Sequence, residues 1–348
     1  MGGVCKMVGM REVARKANVS PGAVSRFLNQ DKTLSISENT KQRIRAAVRD
    51  LNYDINKRKY EKAKIQSIGL ISTIDRKKEI DDPYFSQLRE GIKEEAKRLH
   101  LGLNRTYYLA EDNPQEWKDF DHLGAIVIIG TVNESSIQKL MKQNKNIVIV
   151  DNPDITADVD LVYADFERMI QKNLSLLVAA GHTNIAYIGG YNIDINEYGK
   201  KEINENEKRL RAYKQFMYDQ GLKQNINYKL GQWEPLEGRR MADELLAERA
   251  DDFPTAIVVG SDPLAVGVYH SLQSAGIKIG KGLALISFDN IEIAKNLTPG
   301  LTSVNINSKE IGNAAVRLAS EKINGERGEN VVLTFPSTLI ERESFHFS

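Results

Sequence analysis

The chain has 348 residues, of which 41% are hydrophobic and 27% charged, a composition typical of a globular protein with more than one domain. No apolar run approaches the ~20 residues of a membrane span, and the first residues carry no apolar stretch that resembles a secretion signal. A single cysteine, Cys5, excludes an internal disulfide framework and a cysteine-rich zinc site. These features predict a cytoplasmic protein without a membrane partner.

Charge is distributed unevenly along the chain. Residues 1–64 hold 15 Lys and Arg against 6 Asp and Glu, a net charge of +9, whereas the remaining residues hold 33 against 41, a net charge of −8. A basic head joined to an acidic body is typical of a nucleic-acid-binding module attached to a module of another kind. The alternative interpretation is a basic surface that is merely solvated.

Two short amphipathic helices are predicted at residues 10–17 and 21–28. Asn18 suits the turn between them, because asparagine tolerates a left-handed backbone. Ser20 is a predicted N-cap, and Pro21 occupies the first helical position, where its missing N–H costs nothing. The pattern predicts a tight turn between two helices.

A third helix is predicted at residues 38–51, with Ser37 as its N-cap and an apolar stripe on one face. Two short helices, a tight turn and a supporting third helix describe a helix-turn-helix. The polar outer face of the second helix fits a major groove, and the surrounding basic groups suit phosphates.

The segments REVARKANVSPGAVSRFLN (11–29) and SENTKQRIRAAVRDLNY (37–53) resemble the head of the lactose/galactose repressor family. The position of the family's turn glycine is Asn18 here. The resemblance implies a DNA-binding domain over residues 1–53 and a hinge over residues 54–64, with a double-stranded operator as the partner.

By that resemblance, the positions after Ser20 read bases, but Pro21 and Gly22 have no side-chain donor. Arg26 is therefore the predicted base reader, bidentate to the O6 and N7 atoms of a guanine. Phosphate contacts position the protein without specifying sequence. The predicted DNA-binding residues are Ser20, Pro21, Gly22, Ser25, Arg26, Asn29, Tyr53, Lys57, Arg58 and Lys59.

The hinge departs from the family pattern. In much of the family an apolar residue of the hinge wedges a base step in the minor groove, and the corresponding position here is Lys62. Lys57, Arg58 and Lys59 are predicted to follow phosphates or to lie in a narrow minor groove. A flexible charged linker is an equally weighted interpretation.

From residue 65 onward, apolar strands alternate with helices, which predicts parallel sheets covered by helices. Ligands of such sheets bind at the carboxyl ends of strands. The predicted strands are 67–73, 124–130, 146–151, 184–190, 255–262 and 282–289, and the predicted helices are 84–99, 135–143, 168–180, 207–220, 239–249 and 264–275.

The body resembles the family's effector domain, a relative of periplasmic sugar-binding proteins, in segments such as DPYFSQLREGI (82–92), AAGHTNIAYIGG (179–190) and LISFDN (285–290). The resemblance implies an all-α helix-turn-helix head and an α/β body of two similar parallel-sheet lobes, joined by three crossovers around a ligand cleft. The predicted body is 65–348, with an N-lobe of about 65–180 and 297–325 and a C-lobe of about 181–296 and 326–348.

The resemblance also implies which residues bind the effector. Arg209 and Asp165 would hydrogen-bond sugar hydroxyls, Trp233 would offer an aromatic face and Phe85 an apolar floor. Other interpretations stay open, since Trp233 suits a core, Arg209 suits a surface ion pair and a strand-end aspartate suits a loop or a helix cap. The predicted effector-binding residues are Phe85, Asp165, Arg209, Trp233, Ser261, Asp262 and Asp289.

The sequence contains no phosphate-binding loop, no metal-ligand spacing and no nucleophile elbow, so we expect no enzyme, no cofactor and no metal. The resemblance implies a homodimeric repressor that binds a palindromic operator and responds to a sugar. The lysine-rich hinge favours the subgroup of galactose and evolved β-galactosidase repressors, and so a galactose-like or β-galactoside inducer. A purine corepressor, a sugar phosphate effector and an activator remain alternatives. The polar segment 191–206 is predicted either to be disordered or to form a lid over the cleft.

Overall fold

A computed structural model describes residues 9–29, 31, 33–51, 53, 66–109, 111, 120–204, 207–248 and 253–346. The chain divides into two compact units, Met1–Ile65 and Gln66–Ser348, which we call the head and the body. The head has its own hydrophobic cluster, and the body is built around others.

The helices of the head begin at the capping residues that the sequence predicts. The Ser20 hydroxyl accepts a hydrogen bond from the Ala23 amide at 3.1 Å, and the Ser37 hydroxyl accepts one from the Thr40 amide at 3.2 Å. Asn18 ends the first helix with φ +50°, which confirms the left-handed turn. The helices are α1 (Met10–Ala17), α2 (Pro21–Leu28) and α3 (Glu38–Asp50).

Strands and helices alternate along the body. From residue 67 to residue 204 they are β1 (Ser67–Ser72), α4 (Arg76–Asp81), α5 (Pro83–Arg98), β2 (Gly102–Tyr108), β3 (Ala125–Ile129), α6 (Glu134–Met141), β4 (Ile147–Val150), β5 (Asp160–Ala164), α7 (Phe166–Ala179), β6 (Ile185–Gly190), β7 (Asn192–Ile195) and β8 (Lys201–Asn204). They continue as α8 (Lys208–Asp219), β9 (Asn227–Gly231), α9 (Pro235–Glu248), β10 (Ala256–Val259), α10 (Asp262–Ser274), β11 (Ala284–Asp289), α11 (Glu292–Asn296), β12 (Thr302–Asn305), α12 (Ser308–Asn324), β13 (Val332–Phe335) and β14 (Thr338–Ile340).

Two six-stranded sheets define the two lobes of the body. The N-lobe sheet has the order β13-β5-β4-β3-β1-β2, with every neighbouring pair parallel. The C-lobe sheet has the order β14-β12-β11-β10-β6-β9 and is parallel except for the pair β12–β14. The central strands β3 and β10 are buried throughout, as expected for parallel sheets covered on both faces. The predicted fold class is confirmed.

The lobe boundaries differ from the prediction. Strand β12 pairs with β11 in the C-lobe, although the sequence placed 297–325 in the N-lobe, and β13 pairs with β5 in the N-lobe, although 326–348 was placed in the C-lobe. Helix α7 packs on α8 and β10 of the C-lobe, although the prediction of 65–180 as N-lobe includes it. The physical reason is that pairing between strands far apart in the sequence decides which lobe an element belongs to. The chain passes between lobes before α7, between β12 and α12, and between β13 and β14.

Helices α5 and α12 approach closely because each carries a glycine at the contact. A Cβ atom on Gly91 would lie 2.0 Å from the Lys309 carbonyl oxygen, and one on Gly312 would lie 2.2 Å from the Leu88 carbonyl oxygen. A larger side chain at either position would force the two backbones apart. This contact anchors α12 on the N-lobe, where it also packs against β3, β4 and β5.

A buried ion pair fixes the return of the chain into the N-lobe. The Asp160 carboxylate is fully buried and accepts two hydrogen bonds of 2.8 Å from the Arg327 guanidinium, and a third of 2.8 Å from the Val331 amide. Asp160 is the first residue of β5, and Val331 precedes β13, so the pair sets the register of these two strands.

We expect Arg327→Ala to lower the free energy of unfolding by roughly 3 kcal/mol, because it leaves a buried carboxylate without its cation. Urea unfolding followed by circular dichroism measures this change. Lys295→Ala removes an exposed ion pair with Glu292 and is the matched control, with an expected change below about 1 kcal/mol. Equal losses in the two variants would contradict the role given to Asp160.

Candidate functional site

The outer face of α2 is the candidate DNA interface of the head. Pro21, Gly22, Arg26 and Asn29 are exposed, whereas Val24 is fully buried in the core of the head. The Asn29 side-chain amide donates to the Ser25 carbonyl oxygen at 2.9 Å, so it ties the end of α2. The predicted recognition helix therefore presents a polar outer face.

The head holds the Arg26 guanidinium by one edge. Its Nε donates to the Asp31 carboxylate at 2.7 Å, and its Nη2 donates to the Thr33 hydroxyl at 2.7 Å. The Thr33 hydroxyl and amide in turn donate to the same carboxylate, which together with Arg26 lowers the pKa of Asp31 to about 2. This closed ring of hydrogen bonds orients the arginine.

Tyr53 differs from the sequence expectation. It is 8% exposed within the core of the head, and its buried hydroxyl has no hydrogen-bond partner among the described residues. A hydroxyl in that position does not reach a phosphate, since the ring packs on apolar side chains such as Ile44. Lys57, Arg58 and Lys59 lie outside the described residues.

The candidate effector site is a cavity of about 400 Å³ within the body. Gly130 and Asp151 line it just past β3 and β4 of the N-lobe, and Ser261 and Asp289 line it at the ends of β10 and β11 of the C-lobe. The carboxyl ends of both sheets therefore meet at one cavity, as the strand-end rule predicts. Its volume suits a small organic ligand.

Arg209 is the central cation of this cavity. Its Nε donates to the fully buried Glu207 carboxylate at 2.8 Å, and its Nη1 donates to the Gly260 carbonyl oxygen at 2.8 Å. Burial opposes the charge, but the Glu207 carboxylate outweighs it, so the pKa of Arg209 is raised. Because Glu207 is fully buried, the ion pair that forms is a buried one and not the surface pair considered from the sequence.

Two aspartates at strand ends have left-handed backbones, Asp151 with φ +66° and Asp289 with φ +99°. The Tyr84 hydroxyl donates to one Asp151 oxygen at 2.5 Å, and the other oxygen is buried without a partner among the described residues. Burial and the neighbouring Asp262 carboxylate raise the pKa of Asp289. Strained backbone and unpartnered polar atoms are typical of a binding site.

Asp262 does not line the cavity, contrary to the prediction. It is fully buried, and its carboxylate accepts hydrogen bonds from the Ile291 amide at 2.9 Å and the Ser303 hydroxyl at 2.8 Å. Burial raises the pKa of Asp262 to about 7. The N-cap of α10 is Ser261, so Asp262 serves neither as a ligand contact nor as that cap.

Asp165 is also placed differently from the prediction. Its carboxylate accepts a hydrogen bond from the Arg168 amide at 3.1 Å and caps α7, and it is not among the described residues that line the cavity. The next residue, Phe166, does line it, with its ring 4.6 Å from the Arg209 guanidinium carbon. Asp165 therefore sets the start of α7 at a lobe crossover.

Phe85, Ser261 and Trp233 line the cavity, where the sequence places them. The Trp233 ring is not an open platform, however, because the Arg209 guanidinium lies 4.3 Å from its centre. A Cβ atom on Gly190 would come within 2.2 Å of the same ring. Trp233 is thus a packed wall of the cavity, and the stacking surface expected for a sugar is partly occupied.

Several cavity residues were absent from the predicted site. Asp151 follows a strand just as Asp289 does, so the strand-end rule would have selected it. Lys208 is buried beside Phe166, 4.4 Å from its ring, and burial lowers the pKa of this lysine. Nothing in the local sequence separates Lys208 from an exposed helical lysine. Other lining residues that were absent from the predicted site include Asp82, Tyr84, Thr131, Tyr191, Asn192, Ile193 and Lys201.

Charges around the cavity are predominantly acidic. The acidic residues that line it are Asp75, Asp82, Asp151, Asp154, Glu234 and Asp289. The basic residues that line it are Lys78, Lys201, Lys208 and Arg209. Within the described part of the chain, no group of three His, Cys, Asp or Glu residues is arranged to hold a metal ion. None of the described helices is long and apolar enough to cross a membrane.

Comparison with family models matches the head and the C-terminal part of the body separately. Residues 9–56 match the model of bacterial regulatory proteins of the lacI family, and residues 174–345 match the periplasmic binding protein-like domain. Among solved structures, the Lac repressor bound to ONPG aligns with a TM-score of 0.68 at 20% identity, covering 97% of this chain and 100% of that one. The complex of the transcriptional regulator CelR with cellobiose aligns with a TM-score of 0.69 at 20% identity, covering 97% and 99%. These likenesses show the fold.

Curated relatives cover the whole length. The HTH-type transcriptional repressor MelR of Bacillus subtilis is 28% identical over 345 residues, 97% of each chain. The HTH-type transcriptional regulator GanR of the same organism is 27% identical over 346 residues, 98% of this chain and 100% of GanR. These relatives are regulators and not enzymes. The chain therefore carries the helix-turn-helix of the lacI family and a periplasmic-binding-protein-like body, and over nearly its whole length it is similar to transcriptional regulators.

Proposed function

We propose that the protein is a cytoplasmic repressor that binds a palindromic operator as a homodimer and is released when a neutral sugar binds the cleft of the body. The observation that carries this proposal is the cavity at the carboxyl ends of both sheets, lined by Arg209, Asp151 and Asp289. We infer a galactose-like sugar or a β-galactoside as the inducer, because the lysine-rich hinge resembles that of the galactose and evolved β-galactosidase repressors.

The chemistry of the cavity supports a polyhydroxylated ligand. The carboxyl groups of Asp151 and Asp289 line the cavity as acceptors for hydroxyl groups, and Arg209 is a fixed donor. The Phe85 ring lies edge-on to Tyr84, with ring centres 5.2 Å apart, and gives the cavity an apolar wall for the C–H face of a sugar ring. Several fixed polar groups beside aromatic walls are what a sugar needs.

The charge of the cavity favours a neutral effector over an anionic one. Six acidic side chains line it against four basic ones, so a phosphate group would meet more acidic groups than basic ones. This surplus argues against a sugar phosphate as effector. A purine corepressor is the other outcome that the experiment below distinguishes.

Relatives support the same assignment. MelR is named a transcriptional repressor, and regulators named GalR and LacR are 28% and 26% identical to this chain. Solved relatives include a CelR complex with cellobiose and a Lac repressor dimer bound to operator. We transfer the dimer, the operator and the sugar to this chain as parts of the proposal.

In the head, the proposal assigns the guanine contact to Arg26. Its Nε and one Nη2 proton are used by Asp31 and Thr33, which leaves the terminal edge of the guanidinium to meet a guanine O6 and N7. Pro21 and Gly22 supply no polar side chain, so affinity depends more strongly on basic groups and on salt concentration than in a head with polar readers.

We expect galactose or lactose, but not galactose 6-phosphate or guanine, to raise the melting temperature of the purified protein. A ligand at about 100 times its Kd stabilises the native state by about 2.7 kcal/mol. The same sugar should weaken binding to an operator selected from random duplexes. Stabilisation by guanine with tighter DNA binding would instead support a corepressor, and stabilisation by none of these compounds would contradict the sugar proposal.

Two aspartate variants test the location of the sugar. Asp289→Asn replaces one oxygen of a cavity carboxyl group by an amide donor and should weaken the stabilisation, because one acceptor of sugar hydroxyls is lost. Asp165→Asn is the matched control, since asparagine is an equally good helix cap and Asp165 lies outside the cavity lining. A lost response in Asp165→Asn with a retained one in Asp289→Asn would contradict the site proposed here.

We expect Arg26→Ala to remove roughly 1–3 kcal/mol of discrimination at one guanine per half-site, because a bidentate base contact is lost. Fluorescence anisotropy against the selected operator and its single-base variants measures the discrimination. Arg49→Ala, at an exposed position of α3, is the control and should weaken binding equally on all sequences. Uniform weakening by Arg26→Ala would reassign that arginine to phosphate.

A further inference from the structure

The segment after β6 forms a hairpin that leaves the C-lobe and joins the N-lobe. Strands β7 and β8 pair only with each other as a separate antiparallel two-stranded sheet among the described strands. Ile195 then forms a parallel bridge with Val132, which follows β3 of the N-lobe. The Ile195 amide donates to the Thr131 carbonyl oxygen at 3.1 Å, and the Asn133 amide donates to the Ile195 carbonyl oxygen at 3.2 Å. The hairpin thus continues the N-lobe at the end of β3.

An apolar side chain seats the hairpin in the N-lobe. Ile195 is 1% exposed and belongs to the N-lobe cluster that contains Ile128 and Ile137, and Ile193 packs at the edge of that cluster. A side chain from the segment after β6 of the C-lobe is therefore part of the N-lobe core. Separating the lobes would expose it to water, which opposes separation.

A buried carboxylate anchors the tip of the hairpin in the N-lobe. Glu197 is 8% exposed; its amide donates to the Ser136 hydroxyl at 3.0 Å, and its carboxylate accepts hydrogen bonds from that hydroxyl and from the Lys139 ammonium. Ser136 is itself fully buried in α6 of the N-lobe. By contrast, Lys200 and Glu202 form an exposed ion pair within the hairpin. Glu197 is therefore the polar anchor, and Glu202 is its natural control.

The hairpin also walls the cavity. Tyr191, Asn192, Ile193, Ile195 and Lys201 line it. The Trp233 indole N–H donates to the Tyr191 carbonyl oxygen at 2.9 Å, which ties the base of the hairpin to the C-lobe wall of the same cavity. A ligand in the cavity contacts both lobes and the segment that bridges them.

We propose that the β7–β8 hairpin is a strap between the lobes, rooted in the C-lobe and seated in the N-lobe by Ile195 and Glu197. It holds the lobes at the separation seen here, and opening of the cavity requires that the hairpin leave its seat. The mechanical part of this proposal stands on the contacts alone, whereas its consequence for sugar exchange rests on the proposed function.

Hydrogen exchange of the full-length protein without sugar tests the strap. Residue-resolved mass spectrometry follows the amides of Asn133, Ile195 and Glu197. Each of these amides donates a hydrogen bond between the hairpin and the N-lobe. We expect Glu197→Ala to raise their exchange rates about tenfold or more, since unseating becomes easier, with the strands of both sheets unchanged. Glu202→Ala should leave the three amides unchanged.

Ser136→Ala removes the same anchor from the opposite lobe and should reproduce the effect, so the test does not depend on one variant folding. Unchanged exchange at Asn133, or equal effects of Glu197→Ala and Glu202→Ala, would overturn the strap. In a second arm, stopped-flow fluorescence with lactose should show release about tenfold faster from Glu197→Ala than from wild type. If lactose fails to bind the wild type, the sugar proposal is at fault, and the exchange measurement still decides the strap.

Discussion

The pairing of the Arg209 guanidinium inside the cleft is the interaction on which the effector site depends. A buried cation without partners would cost several kcal/mol, so the surrounding chain must supply charge and acceptors. Glu207 supplies the charge and is also the N-cap of α8, whereas the Gly260 carbonyl oxygen lies at the end of β10. One cation therefore fixes the start of a helix against the end of a strand, and with them the C-lobe wall of the cavity.

The acidic half of the site is built on two strained backbone positions. Asp151 and Asp289 occupy left-handed backbone positions that cost a non-glycine residue of order 1–3 kcal/mol each. Such conformations persist only where the surrounding structure determines them, and here the ends of β4 and β11 do so. Both lobes thus contribute a carboxylate to one cavity. A ligand that supplies hydroxyl donors would meet both carboxyl groups.

How well the sequence predicts a feature depends on whether the interactions that determine it are local or join residues far apart in the chain. The caps at Ser20 and Ser37 and the left-handed turn at Asn18 are local, and they were predicted correctly. Helix α12 lies outside the predicted helices, and its glycine contact with α5 joins residues more than two hundred positions apart. Lobe membership of β12, β13 and α7 was wrong for the same reason. Asp165 and Asp262 were misplaced because a strand-end aspartate has the same local pattern whether it faces a ligand, a helix N-terminus or a buried serine.

The strap limits the form that the proposed sugar response can take. A ligand shifts an equilibrium only by its difference in affinity between two states, so a sugar must gain contacts when the lobes are closed. The crossovers are short loops, whereas Ile195 and Glu197 make side-chain contacts in the N-lobe that opening of the cavity would break. Full burial of an isoleucine is worth about 1.5–3 kcal/mol, which alone biases the free body towards closure by more than tenfold. A sugar that binds against the hairpin would therefore reinforce a closure that the protein already favours, and much of its effect on this closure would be to slow reopening.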